Sequence, residues 1–243
     1  ALELREKNIE ITSQLEPPNQ WTWGAGQNYL ALIKAGLAEM EKSDEQKRHF
    51  LEDGVSCMEK CIAACTRYVQ TVAVKPLQSD FAVLGWYHDW FGEVLDRLYA
   101  VTKDEKVIHR AIEVHQGAAQ VYQKAGMPSR VAEAYWEAAR LYNQRGEYVK
   151  AADNFELASK NYQLVAEKIP QLKDFCQGQA LYMQAWSEIE KGRHHHARQE
   201  YGLAKEHYQK AAELHKSLKQ WSYLAPNYSA WAQVENAEDL SRK

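Results

Sequence analysis

The sequence predicts an all-α protein of about ten long helices, and three observations carry that reading. Long stretches rich in Ala, Leu, Glu, Gln, Tyr and Lys place their apolar residues at helical spacing. Helix start and stop signals punctuate those stretches along almost the whole length. The 6 Pro and 12 Gly lie mostly between them, which leaves little room for the closely spaced turns of a β-sandwich or barrel. Helix is then expected for roughly 75–85% of the chain, well above the globular average.

Taken in order, the pattern places helices over residues 3–15, 25–41, 44–72, 77–101, 104–125, 129–145, 147–168, 171–191, 194–219 and 221–241. Ser43-Asp44-Glu45-Gln46 has capping-box spacing, with Ser43 set to cap the backbone and Gln46 to answer it. Thr102-Lys103-Asp104-Glu105 is a second start, with acids in the first turn to suit the helix dipole. Pro76 and Pro170 suit a first turn, where a missing N–H is no loss. Gly126, Gly146 and Gly192 each follow a periodic run and suit the left-handed residue after a helix end. Gly24-Ala25-Gly26 follows no strand and reads as a loop ahead of a helix.

Composition narrows the function classes. Hydrophobic residues at 45% and charged residues at 26% are ordinary for a folded soluble protein. Thirty Lys and Arg against 33 Asp and Glu give a net charge of −3 with no block of one sign. That argues against nucleic acid as the partner, since such binding rests on clustered cations. No apolar run approaches the roughly 20 residues of a membrane span, and no signal peptide opens the chain. Four cysteines, three of them in one segment, fit a reducing, cytoplasmic setting better than a disulfide framework. The chain opens at Ala1 rather than Met, which reads as a processed protein or a piece of a longer one. The whole of 1–243 reads as one helical-repeat domain, clearest over 105–215 and divergent over 1–100.

The segment Tyr135-Trp136-Glu137-Ala138-Ala139-Arg140-Leu141-Tyr142 is followed by Gly146, Tyr148, Ala151, Phe155 and Ala158. This resembles a tetratricopeptide repeat: an aromatic, two small residues, Tyr, a Gly turn, then A-x3-F-x2-A on the second helix. Small residues let two helices approach where an aromatic from the partner fills the gap. The signature is read again as Ala197, Tyr201 and Ala204, after Leu181, Ala185 and Gly192, and in weaker form as Ala111, His115 and Ala118. Long helices and variable spacing make the chain look more like the SNAP adaptor family. The A-A-x-x-Y-x-x-x-G runs at 118–126 and 138–146 carry that likeness. The resemblance implies a right-handed solenoid of long antiparallel helices and a protein-binding adaptor. Extended to function, it implies a coiled-coil partner presented to an ATPase.

Cys57, Cys61 and Cys65 stand at i, i+4 and i+8, one helical face with a drift of about 40° per step. Three thiols in a row invite a soft metal. Sulfurs one turn apart rarely converge on one ion, however, and Ile62, Ala63 and Ala64 beside them indicate packed core. His194-His195-His196 reads as an exposed turn whose rings point about 100° apart and so cannot chelate together. His88-Asp89 reads as a structural pair. Arg110 and His115 have the R-x4-H spacing of a family of small helical ribonucleases, a competing enzymatic reading. One such spacing arises by chance in a chain this rich in Arg and His, and packing is the preferred account of His115. A sensor module of a larger regulator is a third reading. No phosphate loop, dinucleotide fingerprint, zinc-protease motif or nucleophile elbow is present, so no catalytic residue, cofactor or metal is assigned.

Eight Trp and 14 Tyr are the more informative residues. If the first helix of each pair lines a concave face, that face carries Glu133, Trp136, Arg140 and Asn143, then Gln179, Tyr182 and Trp186. Trp, Tyr and Arg most often anchor interfaces because each combines large area with a polar handle. The expectation is a non-catalytic adaptor that holds a partner protein, either a peptide or a helical bundle, on these seven residues.

Overall fold

A computed structural model describes residues 3–4, 6–7, 10, 20–73 and 75–242. Of these, 89% are helical and none lies in a strand. The long helices are α1 (Gln20–Met40), α2 (Asp44–Arg67), α3 (Gln78–Thr102), α4 (Glu105–Lys124), α5 (Pro128–Gln144), α6 (Tyr148–Lys168), α7 (Lys173–Ala197), α8 (Tyr201–Ser217) and α9 (Ala225–Ser241). A π-helical turn, Tyr68–Val72, extends α2, and 3₁₀ turns at Pro170–Leu172 and Ser222–Leu224 precede α7 and α9. The helix expected over 3–15 lies mostly outside the described residues. Contacts divide the chain into two compact units, Ala1–Met127 and Pro128–Lys243. Within each unit every helix packs on the next. No described helix is long and apolar enough to cross a membrane.

In the first unit the caps differ in detail from their expected chemistry. Ser43 takes the extended N-cap conformation, yet its side chain makes no capping bond. Asp44 and Glu45 remain in the first turn to favour the dipole. At α4 the N-cap is Asp104, whose carboxylate accepts the Lys106 N–H at 2.8 Å. Pro76 sits ahead of α3 rather than in it. Leu77 is the N-cap there, and its N–H donates to Asp80 at 2.8 Å. Gly126 does close α4 with φ +69°, and the Met127 N–H reaches the Tyr122 carbonyl at 3.0 Å.

The stretch 24–26 is helical rather than a loop. A Cβ on Gly24 would stand 2.6 Å from Cys65 Sγ, so glycine there serves the close approach of α1 to α2. Cys57, Cys61 and Cys65 are all buried, and all three are free thiols. The core reading of this face is the one the structure bears out.

The second unit builds its core from the repeat residues. Ala132, Ala139, Phe155, Ala158, Tyr162 and Met183 form one buried cluster across α5, α6 and α7. Ile189, Ala204, Tyr208, Ala211 and Ala232 form another across α7, α8 and α9. Gly146 closes α5 with φ +71°. Gly192 does not close α7, which runs five residues further to Ala197. The left-handed residue after that helix is Gln199, φ +63°. Gly192 lies inside α7, buried against the Tyr208 ring.

The second repeat signature therefore shifts. Ala197 is the exposed last residue of α7 and Tyr201 opens α8. The buried A-x3-aromatic-x2-A set on α8 is Ala204, Tyr208 and Ala211, two turns later, in the manner of Ala151, Phe155 and Ala158 on α6.

Candidate functional site

The two residues of the enzymatic reading point to different surroundings on α4. Arg110 is exposed and pairs with Glu113 at 3.2 Å and Glu59 at 3.7 Å, its guanidinium over the Phe91 ring. His115, five residues on, is buried where a Cβ on Gly92 would lie 2.4 Å from its ring. Positions i and i+5 lie about 140° apart around a helix, so the structure does not bring this pair together. His88 is held neutral at pH 7, because burial lowers its pKa to about 4 despite a hydrogen bond to the Val114 backbone. Its neighbour Asp89 accepts the Tyr122 hydroxyl. Burial pushes the Cys57 thiol up, and the Cys65 hydrogen bond followed by burial raises Cys61. No three His, Cys, Asp or Glu side chains gather around a common ion position among the described residues.

The seven partner-binding candidates all lie on α5 and α7. Glu133 accepts from Arg130 at 2.7 Å, and the exposed Arg140 pairs with Glu137. Trp136, Tyr182 and Trp186 are half-buried, packed on the Phe155 cluster. Trp186 stacks on Phe155 at 5.9 Å and meets the edge of Tyr182 at 6.2 Å. Tyr182 in turn stacks on Trp221 at 4.2 Å. Gln179 stands one turn before Tyr182 on α7 and is partly exposed. Asn143 accepts a hydrogen bond from Arg193 at 2.8 Å, which ties the end of α5 to α7.

That last bond leads to a place the sequence reading did not reach. The chain of rings continues from Tyr182 to His215 at 5.9 Å, to Tyr228 at 5.3 Å, to Tyr208 at 6.5 Å and to Trp231 at 6.3 Å. It ends at a cavity of about 220 Å³ walled by Tyr148, Tyr208, Tyr228, Trp231, Arg193 and His196. Two hydrogen-bonded pairs, each with a glutamate, frame it. Arg193 donates to the fully buried Glu190 at 2.9 Å, and His196 Nδ1 meets the fully buried Glu235 at 2.8 Å. Burial carries the Glu190 carboxyl up to about 7 against the pull of Arg193, and it raises Glu235 as well.

The opposite flank of α7 behaves the other way. Burial alone would raise Glu188, but hydrogen bonds from His207 at 2.8 Å and Lys191 at 3.0 Å outweigh it and bring the carboxyl down to about 2. His195 bonds Glu200 at 2.7 Å and lies parallel to His207, centroids 5.2 Å apart. The residues 194–196 thus lie in the last turn of a helix rather than in a turn between helices, with two carboxylate partners, His194 and His195 half-buried and His196 exposed.

Ending the helix at 191 left Arg193 between helices and His196 in an exposed turn, so neither was read toward this cavity. The signals that were available are the i,i+3 spacings of Glu190 with Arg193 and of Tyr228 with Trp231, each of which puts two side chains on one helix face. Neither a protein-family model nor a curated protein matches this chain.

Proposed function

We propose that this protein is a non-catalytic interaction adaptor, a right-handed stack of antiparallel helix pairs that holds a segment of a partner protein on α5 and α7. The observation that carries the reading is the half-buried run of Trp136, Tyr182 and Trp186, with Arg140 exposed beside Glu137 on the same two helices. Such aromatic side chains with a rigid seat and a free face lose little entropy on binding and are the usual anchors of interfaces. The repeat chemistry of α5 and α6 supports the same architecture, since small residues at Ala138, Ala139, Ala151 and Ala158 are all buried at helix contacts. The outward Arg110 and inward His115 weigh against the nuclease reading. A reducing, cytoplasmic location accords with four buried free thiols. Affinity capture with the full chain, followed by crosslinking and mass-spectrometric mapping, tests the proposal. Crosslinks from the partner to α5 and α7 support it, and a partner mapped wholly elsewhere removes it.

A further inference from the structure

We propose that the cavity at the C-terminal end of α7 binds a small organic acid, a carboxylate carried on a flat apolar body. The charged group in its wall is Arg193, and the other polar groups there are the His196 ring and the phenols of Tyr148, Tyr208 and Tyr228. The carboxyl partners of Arg193 and His196, Glu190 and Glu235, are fully buried behind the wall. An entering ligand therefore meets the Arg193 guanidinium and the phenol hydroxyls, and a cation would meet Arg193 before any carboxylate.

The two glutamates act as positioning residues. Each holds its partner, Arg193 or His196, through Oε1, while Oε2 is sealed from solvent with no hydrogen-bond partner. Both hydrogen bonds of Arg193, to Asn143 and to Glu190, leave from Nη1. The Nε–Nη2 edge is the fork that pairs a carboxylate through two parallel hydrogen bonds. A guanidinium locked at one corner presents that edge at little entropic cost.

The remaining walls select the body of the ligand. Tyr208 lies between Tyr228 and Trp231 in the ring series, and Trp231 is 52% exposed although it stands at the mouth of a cavity. An exposed indole beside stacked phenols offers a flat apolar face for a ring or a short hydrocarbon. Size sets the upper limit. A volume of about 220 Å³ is below the roughly 300–1,000 Å³ of ordinary drug-sized pockets, which excludes a nucleotide or a helical segment. A larger groove of about 630 Å³ between α8 and α9 has Lys205, Glu213, Lys216 and Asn236 in its wall but no aromatic one.

Such an acid comes either as a free metabolite or as the C-terminal residue of a peptide, and two probes separate these. Protein labelled with ¹⁵N at tryptophan is titrated with phenylacetate, N-acetylphenylalanine, N-acetylphenylalaninamide and phenethylamine, following the Trp231 indole N–H, which Trp231→Phe assigns. Saturable shifts with either acid, at least tenfold tighter than with the amide or the amine, are expected. The tighter of the two acids gives the source. Arg193→Gln should weaken acid binding at least tenfold. Should that variant not fold, Arg193→Gln combined with Glu190→Gln removes both members of the pair and should show the same loss. Trp136→Ala should leave acid binding unchanged, so the result stands apart from the partner-binding reading. Equal or tighter binding of phenethylamine, or acid binding that survives the loss of Arg193, overturns the proposal.

Discussion

Tyr208 packs on Gly192 so closely that a Cβ at Gly192 would stand 2.8 Å from the ring. The contact seats α8 on α7 and explains why a glycine is tolerated, buried, inside a 25-residue helix. A related contact joins His115 of α4 to Gly92 of α3. In both, a ring on the second helix of a pair enters the space that a missing side chain leaves on the first.

Packing variants read this register directly. Gly192→Ala should cost about 1–3 kcal/mol, because the ring has to leave its place. Ala204→Leu should cost a similar amount at a fully buried site, whereas Ala197→Leu at the exposed end of α7 should stay within about 0.5 kcal/mol. Phe155→Ala should cost about 3–5 kcal/mol by leaving a cavity. Urea unfolding midpoints decide the matter. An Ala197→Leu penalty with an innocuous Ala204→Leu would restore the earlier register.

Much of the fold was legible because helix periodicity and turn glycines are local signals. Gly126 and Gly146 behave as expected, and most helix bounds fall within a few residues. The second repeat slipped because residues seven apart share a helix face, so Ala197-x3-Tyr201 satisfies the same pattern as Ala204-x3-Tyr208. Gly192 misled for a related reason: sequence shows a missing side chain but not whether it serves a turn or a neighbour's ring. The residues Trp136, Tyr182 and Trp186 were found by spacing within single helices. The cavity was not, since Arg193, His196, Tyr208, Tyr228 and Trp231 come from three helices and only packing assembles them.

Glu188 and Glu190 should respond to pH with opposite signs. Glu190 has a folded pKa raised to about 7, so its favourable contribution is complete below the unfolded carboxylate value and is lost as pH rises through about 7. Glu190→Gln should therefore gain on the wild type between pH 5 and pH 8.5, by on the order of 1–3 kcal/mol. Glu188 is depressed to about 2. Its contribution is present above the ordinary carboxylate range and is lost as pH falls through about 2, so Glu188→Gln should be destabilising at pH 7 and much less so at pH 2. Chemical denaturation across pH measures both. Parallel pH profiles for the two variants would contradict the arrangement.

The four cysteines should be chemically quiet. Cys57, Cys61, Cys65 and Cys176 are all buried, and desolvation holds Cys57 and Cys176 in the thiol form. Nucleophilicity belongs to the thiolate, so a maleimide or disulfide reagent should label them slowly at neutral pH and rapidly after unfolding. Purified protein should carry no stoichiometric zinc or iron. One metal per chain by elemental analysis, or fast labelling of Cys57, Cys61 or Cys65 in the folded state, would make α2 the functional centre.

The partner-binding reading rests on Trp136 and Arg140 making contacts that the isolated chain does not need. Arg140 is exposed, with a short-range partner in Glu137, so its loss should hardly change the melt. Trp136 is half-buried against the Phe155 cluster, and its truncation should cost some stability as well as affinity. Trp136→Ala and Arg140→Ala should each weaken capture of the natural partner by about 1–3 kcal/mol, the usual size of an anchor truncation. Arg110→Ala is the control on the other unit and should change neither capture nor any nucleic acid present. Capture that survives in both α5 variants, together with RNA cleavage abolished by His115→Gln in a protein that still melts as the wild type, would transfer the assignment to the nuclease reading. The exposed guanidinium of Arg110 and the buried ring of His115 are why the first outcome is expected.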